Sequence, residues 1–410
     1  MHVIVVGAGF GGLACAVTCA QQGLKVTLLD QVPEFLPVGE LIGLGSNVAQ
    51  IFKLWGILPA MKAIRQDAPF MTLHNYDGKV LAVDNTLGEA EEKFGAPNLS
   101  VFRGEMHAIL VEYGKSLGII FRNGCKVVDY DANKPSVILA SGEEVEGDAV
   151  IASDGIKSIA RGKVLGDYEE PLDTGYTALR AYGDASLIAA DPIAKHLVEN
   201  GDSVSLWVGP DLHGIALALR GGKELFTTIT YKRTPGQPEI ESSAQVLELI
   251  KDWDVVFKRT WELLPDELNI WPLVYRNCSE KWVSDSGLIA LIGDAVHPFL
   301  PSSMQGAGQA MEDGAVLGLC LAKAGKGSVP LALNTFFRLR HDHVVEVQEM
   351  GIEQREYWHN NHDESGEMVK KPDDTHGAVK TQKFWSYDCV KVVEESWETV
   401  SAQVAAELGL

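Results

Sequence analysis

Three apolar runs in this chain each stop at a glycine-marked turn. His2 to Val6 leads into Gly7-Ala8-Gly9-Phe10-Gly11-Gly12, Ala149 to Ala152 comes just before Asp154-Gly155, and Leu288 to Ile292 leads into Gly293-Asp294. The first run is nearly all β-branched and has no polar alternation, which is the pattern of a short buried parallel strand. A helix over Phe10 to Gln22, a C-cap at Gly23 and a second strand over Lys25 to Leu29 follow from the same pattern. Farther on, Gly175 to Asp184, Ser203 to Val208, Ile215 to Leu219 and Glu224 to Lys232 are short β-rich runs between glycine turns, which predicts a mostly antiparallel sheet. Ala244 to Trp261 reads as one helix whose apolar face carries Val246, Leu247, Ile250, Trp253 and Phe257. A long helix is expected over Leu333 to Trp358, and the polar, Gly/Pro-punctuated stretch His359 to Thr381 as a surface loop. Lys383 to Leu408 reads as an amphipathic helix whose aromatics serve packing or dimer contact, or else cover a site. No internal repeat is visible.

The glycines add chemistry to this pattern. Gly7, Gly9 and Gly12 stand at the three positions of a dinucleotide fingerprint: tight turn, close approach of backbone to a pyrophosphate, and close packing of helix on strand. The helix that follows turns its free N–H groups and positive dipole end toward the phosphates. Asp30 ends the second strand, where a carboxylate accepts hydrogen bonds from ribose hydroxyls. The third turn runs through Pro298 and Pro301 to a helix start near Gln305, with Gly306, Ala307 and Gly308 letting backbone come close to a ligand. A carboxylate at Asp294 fits ribityl or ribose hydroxyls. The fingerprint alone does not separate NAD from FAD. An N-terminal targeting helix is disfavoured, because there is no basic flank and the glycines interrupt the apolar span.

Composition narrows the partners. The chain has 410 residues and a formal net charge of −21. Nucleic acid and anionic membrane surfaces would be repelled by that charge. No apolar span is long enough for a membrane helix. The six cysteines form no CxxC pair, which fits a reduced, cytoplasmic protein and weighs against a disulfide reductase. His341, His343, His359 and His362 lack supporting ligands, so no metal is expected.

Asp154-Gly155-Ile156-Lys157-Ser158-Ile159-Ala160-Arg161 resembles the DG motif of the single-component (group A) FAD-dependent aromatic hydroxylases. Gly293-Asp294-Ala295-Val296-His297-Pro298, running on to Gln305-Gly306 and Glu312-Asp313, resembles their GD motif. Phe102-Arg103-Gly104 resembles their arginine-bearing helix start, and Thr177-Ala178-Leu179-Arg180 the strand entering the substrate domain. The chain is most similar to the salicylate-hydroxylase-like branch. The resemblance implies an α/β fold: a Rossmann-like, para-hydroxybenzoate-hydroxylase-like FAD-binding domain with an inserted, mostly antiparallel substrate sheet and a C-terminal helical segment. The expected boundaries are 1–170 with 277–330 for the FAD domain, 171–276 for the substrate domain and 331–410 for the C-terminal segment. It places Arg103 at the flavin's ribityl or pyrophosphate region, and Asp154, Gly155, Gly293, Asp294, Pro301, Gln305, Gly306 and Ala307 around FAD. Only one complete nucleotide fingerprint is present, which suits a reductant, NADH or NADPH, that visits the flavin transiently.

The implied chemistry is transfer of one atom of O2 to an electron-rich aromatic ring through a C4a-hydroperoxyflavin. Such a site needs a dry pocket and a base or cation near the ring. Arg180 is the first choice for a charge facing substrate, with an interdomain ion pair as its competing role. Tyr182 shares its face two residues on. His213, in a glycine-proline–histidine turn, is either a pocket residue or a satisfied turn histidine; His297 is expected to order its loop. Expected partners are a small aromatic substrate and O2, with a homodimer as an option. Three positions depart from the family pattern: Leu217 in place of a tyrosine, Met304 in place of a small residue, and Glu40 within Pro37 to Gly43. They bring a larger or more apolar ring, such as an indole alkaloid or polyketide phenol, level with a simple phenol. A non-oxygenating FAD-binding redox protein is the remaining reading.

Overall fold

The computed structural model describes residues 1–37, 39–236, 238–363, 368–369 and 383–410. The glycine-ended runs become neighbouring strands of one five-stranded parallel sheet, ordered Ile289–Leu291, Ala149–Ala152, His2–Val6, Lys25–Leu29, Ile120–Arg122. Neighbouring parallel strands end on the same side, so the turns all leave the sheet along one edge. Ligands of open α/β sheets bind at that edge.

Two close approaches bring the turns together. Gly7 has φ 98°, and a Cβ there would lie 2.2 Å from the Ser153 carbonyl oxygen, one residue before Asp154. Helix Phe10–Gln21 crosses helix Gly306–Ala324 backbone to backbone: a Cβ on Gly314 would come within 2.5 Å of Cys15 N and Gly11 O. Only glycine permits either contact.

A second, seven-stranded sheet runs in the order Asn269–Tyr275, Leu172–Asp184, Glu224–Lys232, Leu212–Leu219, Ser203–Gly209, Met71–Asn75, Val80–Asp84. Its last two strands come from ahead of the second glycine turn. Met71–Asn75 pairs parallel to Ser203–Gly209, whereas the other pairings are antiparallel. One face buries Leu179, Trp207, Leu225 and Ile229 under helices Ser243–Leu249 and Val255–Leu263. The sequence suggests a single helix here, and Asp254 divides it. Its Oδ1 accepts from Val256 N (3.1 Å) as an N-cap, while Oδ2 takes the Trp207 indole N–H (2.8 Å). A side chain that satisfies backbone N–H groups outside the helix competes with continuing it.

Helix Val329–Asn360 runs longer than expected and takes His359 into its last turn, where that residue is 2% exposed. The rest of the loop expected there lies largely outside the described residues. Helix Cys389–Leu408 is capped by Asp388 and buries Val393 and Trp397. Among the described residues no single helix is long and apolar enough to cross a membrane.

The Gly314 contact sets a test. Gly314→Ala should lower stability by about 1–3 kcal/mol in chemical denaturation, the cost of overpacking a closed contact. Gly327→Ala, where a Cβ meets nothing within 4 Å, should stay within about 0.5 kcal/mol of the parent. Equal effects from the two would refute the crossing as the critical contact.

Candidate active site

The glycine turns form one wall of a cleft. Gly9 is the N-cap of helix Phe10–Gln21 and Gln305 that of helix Gly306–Ala324. A Cβ on Gly11 would touch Ala310 O at 3.0 Å, so the two helix starts lie side by side. Asp30 closes the first turn, with Oδ2 accepting from Ala8 N (2.6 Å) and Oδ1 from Val32 N (2.9 Å). Each oxygen keeps a second lone pair for a hydroxyl. Arg103 opens helix Arg103–Ser116, is exposed, and lies 5.5 Å from the Phe10 ring centre.

Asp294 is open to the cleft but densely surrounded by protein. Desolvation therefore pushes its carboxyl pKa up, against the pull of His297 and Arg103. Asp154 accepts from Ile159 N (3.2 Å), Ala160 N (3.4 Å) and the Tyr130 hydroxyl (3.2 Å), all through Oδ2. Burial raises its pKa as well, and its Oδ1 is buried without a protein partner. Gly155, at φ 78°, makes the turn after it.

Beneath the third turn lies a buried polar network. Asp313 Oδ2 accepts from Gly293 N (3.0 Å) and meets His297 Nε2 at 2.5 Å, and its Oδ1 takes Arg340 Nε (3.0 Å). Burial alone would raise the Asp313 carboxyl; His297 and Arg340 outweigh it and hold the pKa low. Arg340 also donates through Nη2 to Gln309 Oε1 (2.7 Å) and approaches Glu312 Oε2 at 2.7 Å, an ion-pair contact without hydrogen-bond alignment. Asn47 Nδ2 reaches Glu312 Oε1 (2.6 Å) and Gln305 Oε1 (3.3 Å), which fixes Gln305 at the helix start. His297 thus orders the loop. Gly306 and Ala307 follow at the cleft with partial exposure, and Pro301, exposed, begins the turn that ends at Met304 (φ 51°, 54% exposed). Arg340 and Asn47 do not stand out in the sequence. The readable signal for Arg340 was its place in line with Phe336, Val344, Val347 and Gly351 on the apolar stripe of an expected helix.

The face of the seven-stranded sheet turned away from helices Ser243–Leu249 and Val255–Leu263 is tied to the loop that carries Glu40 by Arg180, and its register sorts this wall into rows. Arg180, Thr228, Ile215, Leu206 and Leu73 stand side by side; Tyr182, Phe226, Leu217, Val204 and Met71 form the next row. On the other side, Ala178, Thr230, His213, Val208 and Asn75 form a row covered by the end of helix Val329–Asn360.

The three residues singled out for substrate therefore part company. Arg180 pairs with Glu40 across the seam between the two sheets, and Asn269 Nδ2 donates to the same carboxylate (3.1 Å). Of its two readings, the structure shows the ion pair. Tyr182 is 46% exposed, gives its hydroxyl to Glu224, and has its pKa pushed up to about 12 by burial and that carboxylate. His213 is buried, its Nδ1 2.8 Å from His359 Nε2. Desolvation depresses both imidazoles, His359 to about 3.

These residues fit FAD. Two helix starts and Arg103 match a pyrophosphate, Asp30 and Asp294 match hydroxyls, and the orphaned Asp154 Oδ1 and Asn47 Oδ1 lie buried without protein partners.

Comparisons with known proteins agree. The model of the FAD binding domain family matches residues 1–349. Asperlicin C monooxygenase of Petromyces alliaceus is 31% identical over 380 residues, covering 88% of this chain and 81% of that protein. The FAD-dependent monooxygenase notI' of Aspergillus versicolor is 31% identical over 416 residues, covering 98% and 93%. Among solved structures, CtdE in complex with FAD and its substrate 4 matches with a TM-score of 0.86 at 27% identity, over 99% of this chain and 100% of that one. A salicylate hydroxylase in its substrate complex shares the fold at 21% identity and a TM-score of 0.77, over 96% and 97% of the two chains.

Two stability tests follow from the site. Arg340→Met strands Glu312 and Asp313 without their cation and should cost about 3–5 kcal/mol in chemical denaturation; a loss below about 1 kcal/mol would refute the network's role. For the histidine pair, folded pKa values below the unfolded 6.5 mean that the unfolded chain takes up protons first as pH falls. Stability should therefore drop below about pH 6.5, by about 2 kcal/mol at pH 5 from His359 and further in the same direction from His213. Denaturation midpoints at pH 7.5 and 5 should converge in His213→Asn/His359→Gln. An unchanged pH slope in that variant would refute the assignment.

Proposed function

The chain belongs to the FAD binding domain family and is an FAD-dependent monooxygenase, and from that premise we propose that its substrate is an electron-rich multi-ring aromatic, an indole or related heteroaromatic, oxygenated at the expense of NADH or NADPH. The observation that carries this reading is the cleft face of the seven-stranded sheet. Leu217 and Val204 stand there partly exposed, outside the buried core under the opposite face and outside the cluster in which Ile215 packs with Leu206 and Trp358. A small carboxylated phenol needs several polar anchors; this wall offers apolar area with one guanidinium at its side.

When bound, FAD supplies electron transfer from the nicotinamide and activation of O2. The chain's own residues bind, orient and exclude water. Arg103 and the two helix starts hold the anionic part of the cofactor. The apolar rows keep water from the reacting ring. Arg180 donates to a heteroatom on the ring, and Glu40 and Asn269 keep the guanidinium in place. Tyr182, with its pKa raised to about 12, stays protonated at neutral pH and spends its one O–H on Glu224, so it is not a base. His213 is neutral and lies under the covering helix on the same sheet face, so it supports that wall from the side.

A panel pairing indoles with phenols tests the reading, with oxygenated product measured against nicotinamide consumed. Coupled turnover of indoles supports it; coupled turnover of phenols alone would return the chain to simple phenol hydroxylation. Arg180→Ala should retain FAD and lose coupled oxygenation by about 10–100-fold, the size of a lost charged hydrogen bond. Unchanged coupling in that variant would leave Arg180 with the ion pair only.

A further inference from the structure

We propose that Trp271, with the Arg180 guanidinium laid across it, is the platform on which the substrate's aromatic rings stack, so that this pair sets the ring size the enzyme accepts. The inference rests on the aromatic-substrate reading above and names the residue that enforces it.

Trp271 lies on the edge strand Asn269–Tyr275, directly opposite Ala178. Opposed residues of an antiparallel pair point to the same face, so the indole lies on the same sheet face as Arg180, at the edge-strand end of the Ala178 row and beyond its covered part. Ala178 is small and 2% exposed, and Trp271 remains 47% exposed. The Arg180 guanidinium carbon sits 4.8 Å from the indole centre, within the range of a cation–π contact. A planar guanidinium on an aromatic ring presents a further flat layer, and aromatic ligands stack on such layers. Asn269, opposite Arg180 on the same strand, holds Glu40 from the side at 3.1 Å. The ion pair thus anchors one edge of the guanidinium and leaves the stack facing the cleft.

A stack of this kind gains affinity with ring area, which separates it from a residue that only steadies Arg180. Binding of phenol, indole and carbazole to the FAD-loaded protein, measured by calorimetry, reads the difference. The parent should bind more tightly with each added ring. Trp271→Leu, which keeps apolar bulk without a π face, should flatten the series and weaken carbazole about tenfold, as expected for the loss of one aromatic stack. Trp271→Phe should keep most of the size dependence, and it guards against a folding defect. An unchanged series in Trp271→Leu, or an equal loss for all three probes, would overturn the platform while leaving the aromatic-substrate reading intact. A flat series in the parent would overturn both.

Discussion

Arg340 is a full charge with no exposed surface, and much of the site's geometry follows from satisfying it. Burying an unpaired guanidinium is prohibitive, so Glu312, Asp313 and Gln309 must be presented to it at fixed positions. All three stand on helix Gly306–Ala324, while Arg340 stands on helix Val329–Asn360. Satisfying the charge therefore fixes one helix against the other. Asp313 passes that constraint to the Gly293 turn through its backbone N–H and to the loop through His297. Glu312 passes it through Asn47 to Gln305, the cap of the helix start at the cleft.

The same long helix carries the constraint to the second sheet. Gly351 receives the Ser302 hydroxyl (2.7 Å) from the turn beside Met304, and about two turns beyond, Trp358 and His359 cover the His213 row. The far end of the sheet is tied differently. Arg180 meets Glu40, and Arg220 meets Glu105 at 2.8 Å. The facing wall is thus held at one end by packing and at the other by ion pairs, with the partly exposed rows between. The exposed Arg220–Glu105 pair contributes little to stability, and Arg180–Glu40 is partly buried. Their value lies in holding Arg180 at the border of the cleft.

Much of this was legible from residue order alone. An apolar run ending in Gly7-Ala8-Gly9, and again at Asp154-Gly155 and Gly293-Asp294, encodes strand and turn locally, because the requirement for glycine is local. The strands Met71–Asn75 and Val80–Asp84 were not legible as members of the second sheet, since their pairing to Ser203–Gly209 is a long-range choice. The break at Asp254 was likewise hidden: its cap is local, but the Trp207 indole that fixes the carboxylate comes from another strand.

Alternation in the β-rich runs placed Arg180 and Tyr182 on one face and the FAD turns on adjoining stretches of chain. That much is dictated by covalent order, because a period of two and the tolerance of glycine are properties of single segments. Tertiary structure decided which row of that face meets the cleft and which is roofed by a helix, and so divided Arg180 from His213. It also decided that Glu40 would meet Arg180 and that Trp271 would lie beside it. Those outcomes depend on register between strands and on where a buried charge can be satisfied, and neither is a property of any one segment.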